Sequence, residues 1–96
     1  MTPVIFRKSD GEITAVFPAE PWSLDPNSRA CYAPIGQHSS CSIAWYLTTK
    51  PATIDESASL LSELVSIGYD DLRVVKRMTR HHREQVKNKL FGNALN

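Results

Sequence analysis

Two cysteines and a histidine lie close enough in the sequence to suggest chemistry. Cys31, His38 and Cys41 have the spacing C-x6-H-x2-C, and thiolate and imidazole groups are the usual ligands of tetrahedral zinc. The same residues suggest a second chemistry, in which Cys41 is a nucleophile and His38 its base. Neither pattern is complete, because no tight pair such as C-x2-C is present and no third group orients the imidazole. We therefore predict no metal and no cofactor, assign no catalytic residue, and interpret both cysteines as reduced, partly buried thiols.

The charged residues are divided between the two ends of the chain. Residues 1–70 contain four lysine or arginine residues and eight aspartate or glutamate residues, a net charge of −4. Residues 71–96 contain seven lysine or arginine residues and two aspartate or glutamate residues, a net charge of +5. Such a cationic segment is typical of proteins that bind phosphates or acidic surfaces. The alternative is a solvated helix face whose long side chains cover apolar surface. The candidate binding residues in this segment are Arg73, Arg77, Arg80, Arg83, Lys87 and Lys89.

Two further candidate residues lie in predicted loops. Residues 18–29 are rich in proline and polar residues, and a loop of this length is often functional; its Trp22 could also fold back as a lid over the sheet. His38 belongs to the predicted loop 36–40, where Gly36 would permit close approach of a ligand. The alternative function is therefore a small enzyme or ligand-binding protein with a site at this loop, using His38 and Cys41 with Trp22 beside them.

Length and composition indicate one small globular domain. The chain has 96 residues, of which 42% are hydrophobic and 22% charged, and this composition is far from that of disordered chains. No apolar run is long enough to cross a membrane, and no basic leader precedes an apolar stretch. We expect a cytoplasmic protein, with residues 1–91 as a single domain and residues 92–96 as a frayed tail.

The first half of the chain predicts two β-hairpins. Residues 3–9 and 13–17 are β-rich and flank Asp10-Gly11, a strong hairpin signal. Residues 30–35 and 41–49 form the second predicted pair, joined by loop 36–40. In that register Cys31 faces Trp45, and the two thiols lie too far apart for a disulfide, which needs Cα atoms within about 7 Å.

The second half predicts helices and a return strand. Thr53 and Glu56 form a capping box that begins a helix over 54–67, and Gly68 ends it in the left-handed conformation with Tyr69 packed behind it. Its apolar face consists of Ile54, Ala58, Leu61 and Val65, widened by Leu60, Leu64 and Ile67.

The segment after this helix allows three interpretations. In residues 71–78 the side chains alternate between two faces, one of them basic, as in a β-strand. Thr79 could then cap a short basic helix that ends near residue 90. A single long helix over 69–91 is the alternative. A helix-turn-helix motif with its recognition helix at 72–75 is the third. We favour a strand followed by a helix, because Val74-Val75 is β-branched.

Several short segments together resemble a family of small uncharacterised bacterial proteins. These segments are Ile5-Phe6-Arg7, Gly11-Glu12-Ile13 with Ala15-Val16-Phe17-Pro18, Gly36-Gln37-His38, and the run from Gly68 to Val75 with sequence GYDDLRVV. The resemblance covers residues 3–78 and implies a compact bacterial domain with a strand after Gly68. The family has no assigned activity, so the resemblance supplies no catalytic residue.

Together these patterns predict an α+β domain. Two hairpins and a return strand form a mainly antiparallel sheet, helix 54–67 packs on one face, and a short basic helix ends the chain. The predicted function is a non-enzymatic binding module whose basic C-terminal segment contacts nucleic acid or an acidic protein. No membrane association is expected, and the sequence carries no signal for a particular oligomeric state.

Overall fold

The computed structural model describes residues 1–92 of the chain. In chain order the elements are β1 (Thr2–Ser9), β2 (Glu12–Phe17), β3 (Ser28–Ala33), β4 (Gln37–Ser42), α1 (Ile43–Thr48), β5 (Lys50–Pro51), α2 (Ile54–Ser66), β6 (Leu72–Val74) and α3 (Arg80–Phe91). The strands form one sheet in the order β4-β3-β2-β1-β5, and β6 pairs with β1 in parallel. The other pairings are antiparallel. The predicted α+β class with a mainly antiparallel sheet is confirmed.

The first hairpin forms as predicted. Ser9 pairs with Glu12 at its tip, and the two turn residues have positive φ angles, 51° at Asp10 and 79° at Gly11. This is the turn whose twist matches that of the flanking strands.

The second hairpin differs from its prediction. Cys31 pairs with Ser39 and not with Trp45, and the chain turns at Gly36, whose φ angle is 82°. The predicted loop 36–40 therefore lies mostly in β4. Residues 43–48 form α1 and not a strand, because the Ser42 side chain caps this helix by accepting the Trp45 N–H at 3.0 Å.

Helix α2 has the predicted ends but not the predicted apolar face. The Thr53 and Glu56 capping box is present, and after the helix Tyr69 N–H donates to the Leu64 carbonyl at 3.1 Å, as a Schellman motif requires. The face that packs on the sheet contains Leu60, Leu61 and Leu64. Ile54, which the sequence pattern assigned to this face, is 87% exposed.

A strand followed by a helix is the correct interpretation after α2. Residues 72–74 are hydrogen-bonded beside β1, so both the single long helix and the helix-turn-helix motif are wrong. Helix α3 begins after Thr79, as predicted, and ends at Gly92, whose N–H donates to the Asn88 carbonyl. Residues 93–96 of the predicted frayed tail lie outside the described residues.

Both faces of the sheet are covered. One face packs against α2 through Phe6, Phe17 and Tyr32. The other buries Ile5 and Val16 against Tyr46 of α1 and Met78, which precedes α3. Within residues 1–92, no helix is both long and apolar enough to span a membrane.

Candidate functional site

An open groove with a cavity volume of about 550 Å³ lies between the start of β1, the segment that follows β6 and the first turns of α3. We call it the basic groove. Its lining residues are Met1, Pro3, Arg73, Val75, Lys76, Arg77, Thr79, His81, His82 and Gln85. Three of these carry a fixed positive charge, and no aspartate or glutamate is among them. The groove therefore offers a concentrated positive potential to an anion.

The fold holds these cations in place at two anchored points. Val75 N–H donates to the Val4 carbonyl at 2.9 Å, which extends the β1–β6 pairing. Met78 is buried, and its N–H donates to the Tyr46 hydroxyl at 3.1 Å. Lys76 and Arg77 lie between these two anchors and are exposed. The segment is thus fixed through its backbone, which leaves both charged side chains free.

Most of the C-terminal cations are not neutralised by the protein itself. Among the described residues, five of the seven lysine and arginine side chains after position 71 form no ion pair. Arg80 pairs with Glu84 at 3.3 Å, but its side chain is 92% exposed, and such surface pairs contribute little. The five unpaired cations are Arg73, Lys76, Arg77, Arg83 and Lys87.

Lys89 has a structural role. Its Nζ donates to Glu20 Oε1 at 2.6 Å and to the Ala19 carbonyl at 2.9 Å. These contacts tie the last turn of α3 to the loop that carries Trp22. Among the predicted binding residues, Lys89 is therefore the least available to an anionic ligand, because Glu20 already neutralises its ammonium group.

The first turn of α3 places positive charge where it costs stability. Arg80 and Arg83 both lie in this turn, which contains no acidic residue. A helix N-terminus carries a partial positive charge, so cations there are unfavourable. The backbone N–H groups of Arg80 and His81 also have no hydrogen-bond partner among the described residues. A local arrangement that opposes folding in this way is typical of functional sites.

His82 is held in its neutral form. Its Nδ1 accepts the Thr79 N–H at 3.1 Å, and its own N–H donates to Thr79 Oγ1 at 3.3 Å. Burial lowers the pKa of His82, and the charges of His81, Arg29 and Arg73 lower it further. Because Nδ1 accepts a hydrogen bond, the neutral ring carries its proton on Nε2.

The Nε2 atom of His82 is available to a ligand. The residue is 8% exposed, and among the described residues no partner bonds Nε2. Every fully buried polar side-chain atom described has a partner, so Nε2 must reach solvent-accessible space. His82 is one of the residues that line the basic groove, and its exposed Nε2 offers an N–H donor.

A second cationic surface runs along the exposed side of α3. Arg80, Arg83 and Lys87 are three and four residues apart, so they lie on one face of the helix, and all three are exposed. We call this set the outer stripe. It begins at the groove end of α3 and extends toward Lys89.

Trp22 is half exposed and does not act as a buried lid. The exposed fraction of Trp22 is 50%. Its loop is shaped by Arg29, which is buried and donates from Nε to the Pro18 carbonyl at 2.9 Å and from Nη1 to the Pro26 carbonyl at 2.7 Å. The loop is thus anchored from within, and the Lys89 contacts hold it beside the end of α3.

His38 and Cys41 lie on opposite faces of the sheet. His38 Nε2 is 2.8 Å from the Tyr69 hydroxyl, on the face that α2 covers. The His38 ring also packs edge-on against the Tyr32 ring, with 4.8 Å between the two ring centroids. Cys41 packs against the cluster on the other face. The two residues therefore cannot form a nucleophile–base pair or share a metal ion, and residues 1–92 contain no group of three potential metal ligands.

The two cysteines interact with each other. Cys31 pairs with Ser39, two residues before Cys41, so both thiols lie on the same face of the hairpin. Both are free, as predicted. However, they are neighbours, contrary to the predicted register, and a hydrogen bond between them lowers the pKa of Cys31 and raises that of Cys41.

Comparisons with protein-family models, curated proteins and solved structures gave no match for this chain.

Three further members of the cationic stretch line the groove. Lys76, His81 and His82 belong to the same segment as the candidate binding residues, and the sequence predicts that this segment can neutralise phosphates. Their position in the groove depends on β6 lying beside β1. One local signal indicates a role for His82. It lies three positions after Thr79, the predicted N-cap, and a residue at that position commonly completes a capping box.

Proposed function

We propose that this protein is a non-enzymatic binding module that holds nucleic acid on the basic groove and the outer stripe. The observation that carries this proposal is the groove itself, which is lined by three unpaired cations and by no carboxylate. Binding of phosphates to such a surface is electrostatic and independent of base sequence.

The types of residue in the groove are suited to binding phosphate. Arg73 and Arg77 can each bind a phosphate through two parallel N–H groups. The free backbone N–H groups at the start of α3 add donors of the kind that bind phosphate.

The half-exposed Trp22 favours a single strand. Helix α3 has 12 residues, so it spans about 18 Å between the basic groove and the loop that carries Trp22. The outer stripe supplies cations along this distance, and Trp22 could stack on an unpaired base at its end.

Fluorescence anisotropy with a labelled oligonucleotide tests this proposal. We expect binding of a single strand to weaken steeply as salt rises from about 50 to about 200 mM. In the triple variant Arg73→Gln/Lys76→Gln/Arg77→Gln, the slope of log affinity against log salt should decrease, by about 0.7 to 0.9 for each phosphate contact that is lost. Lys50→Gln is the matched single-charge control for Arg77→Gln, because Lys50 is exposed in β5; only Arg77→Gln should weaken binding.

Two outcomes would overturn the proposal. The first is failure to bind single- or double-stranded oligonucleotides at low salt. The second is equal or tighter binding of a polyglutamate peptide at matched charge, which would identify an acidic protein as the partner.

A further inference from the structure

We infer that the basic groove is a specific pocket for a terminal phosphate monoester of a nucleic-acid strand, whereas the outer stripe binds the internal phosphodiesters. This inference rests on the proposed function and assigns its two cationic surfaces different ligands.

The density of charge in the groove distinguishes the two surfaces. Arg73, Lys76 and Arg77 face one cavity with no carboxylate among its lining residues. The outer stripe spreads its three cations along α3, and one of them is paired with Glu84. An internal phosphodiester carries a single negative charge, whereas a terminal monoester approaches two at neutral pH. The concentrated charge therefore matches the terminal group.

The hydrogen-bond donors of the groove also suit a terminal phosphate. A monoester exposes three acceptor oxygens, one more than an internal diester leaves free. The neutral His82 ring offers Nε2–H from a residue that is 8% exposed and unpartnered at that atom. The free backbone N–H of His81, which also lines the groove, lies in the same helix turn. These donors come from the backbone and from a ring held by the Thr79 cap, so their positions are fixed before the ligand arrives.

The neutrality of His82 is useful in this arrangement. The side chain adds a directional donor without adding a further positive charge to a cluster that already contains Arg73 and His81 and lies within range of Arg29. A protonated ring at this position would increase the repulsion among the cations of the groove. The cap from Thr79 and the burial of the ring both maintain the neutral form.

Competition between strands that differ only at their ends tests the inference. A labelled single strand is displaced by unlabelled strands of one sequence that carry a 5′-phosphate, a 3′-phosphate or hydroxyls at both ends. We expect at least one phosphorylated strand to bind about tenfold more tightly than the hydroxyl strand. The preference should disappear in Arg77→Gln, which removes one of the three groove cations, and in His82→Ala, which removes the ring donor.

The matched control is Lys87→Gln in the outer stripe. This variant should weaken all three strands equally and keep the preference for the phosphorylated end. Circular dichroism of His82→Ala would show whether α3 remains folded without the ring in its cap. If its spectrum changed, Arg77→Gln, which alters an exposed side chain, would decide the question.

The outcomes separate this inference from the function on which it rests. Equal binding of all three strands overturns the terminal-phosphate pocket and leaves nucleic-acid binding standing. Failure of every strand to bind overturns both. A nucleoside monophosphate that competes as well as the phosphorylated strand would overturn the assignment to a strand end, since the groove would then bind a free nucleotide.

Discussion

The backbone N–H of Thr79 donates to Nδ1 of His82, 3.1 Å away, at the start of a helix whose first turn is otherwise cationic. This contact makes a titratable ring part of the helix cap. Protonation of Nδ1 would replace an acceptor by a donor and would add charge at the positive end of the helix dipole. The stability of α3 is therefore linked to pH through one residue.

Stability should decrease as pH falls below about 6.5, the ordinary pKa of histidine. The folded-state pKa of His82 is lowered, so the unfolded state binds more protons in this range. The stabilising contribution is complete above the unfolded pKa and is lost as pH falls from there through the folded value. Urea denaturation at several pH values between about 7.5 and 5 measures it.

His82→Gln should reduce this pH dependence, because glutamine caps the helix without titrating in that range. His81→Gln, at the exposed neighbouring position, should reduce the dependence less, because burial of the His82 ring is the larger cause of its lowered pKa and the charge of His81 the smaller one. Identical pH profiles for His82→Gln and the wild type would contradict the assignment.

Arg29→Met should strongly destabilise the protein. The guanidinium donates to the carbonyls of Pro18, Pro26 and Ser28, and methionine keeps much of the stem but none of the donors. We expect a loss of about 2–4 kcal/mol in the free energy of unfolding, since buried carbonyls lose their partners. Chemical denaturation measures this change. An unchanged urea midpoint would show that the loop does not depend on Arg29.

Thr53→Ala should destabilise α2 by about 1 kcal/mol. The Thr53 hydroxyl accepts the Glu56 N–H at 3.1 Å, and Glu56 returns a bond to the Thr53 N–H at 3.0 Å. Ser62→Ala, at an exposed position within the same helix, removes a hydroxyl without removing a cap and should not lower stability. Thermal denaturation of the two variants compares them directly.

Cys41→Ala should raise the pKa of Cys31 and make its thiol less reactive. The hydrogen bond from Cys41 is the largest cause of the lowered Cys31 pKa, and alanine cannot donate it. Cys41→Ser keeps a donor at the same position, so it should stay closer to the wild type. The pH dependence of the thiolate ultraviolet absorbance, or the rate of alkylation near neutral pH, distinguishes the two variants. A Cys31 thiol that titrates identically in both would rule out this hydrogen bond.

The predictions from sequence succeeded where the determining residues are close together in the chain. Asp10-Gly11 defines its own turn, and Thr53 with Glu56 defines the start of α2. The prediction failed at residues 43–48, whose apolar residues fit a strand or a helix equally well. The Ser42 cap and the burial of Tyr46 decide in favour of the helix, and the burial depends on contacts with distant Met78.

The candidate site was predictable in its charges but not in its shape. The excess of cations after residue 71 is visible in the sequence. The groove exists because β6 pairs with β1 and Met78 is anchored by the Tyr46 hydroxyl, and neither contact has a local signature. The opposite placement of His38 and Cys41 follows from the register of β4, which depends on where the chain turns at Gly36.

The parallel pairing of β1 with β6 sets the order in which a growing chain can complete its sheet. The β1–β2 hairpin needs only local residues, whereas Thr2 meets Leu72, 70 positions later. During synthesis β5 can cover only the end of this edge near Arg7 and Lys8, so the first half of the edge remains open until the sixth strand emerges from the ribosome, and an open edge can pair with other chains. Nascent chains that stop before Leu72 should therefore aggregate, and docking of this last strand should limit the rate of folding.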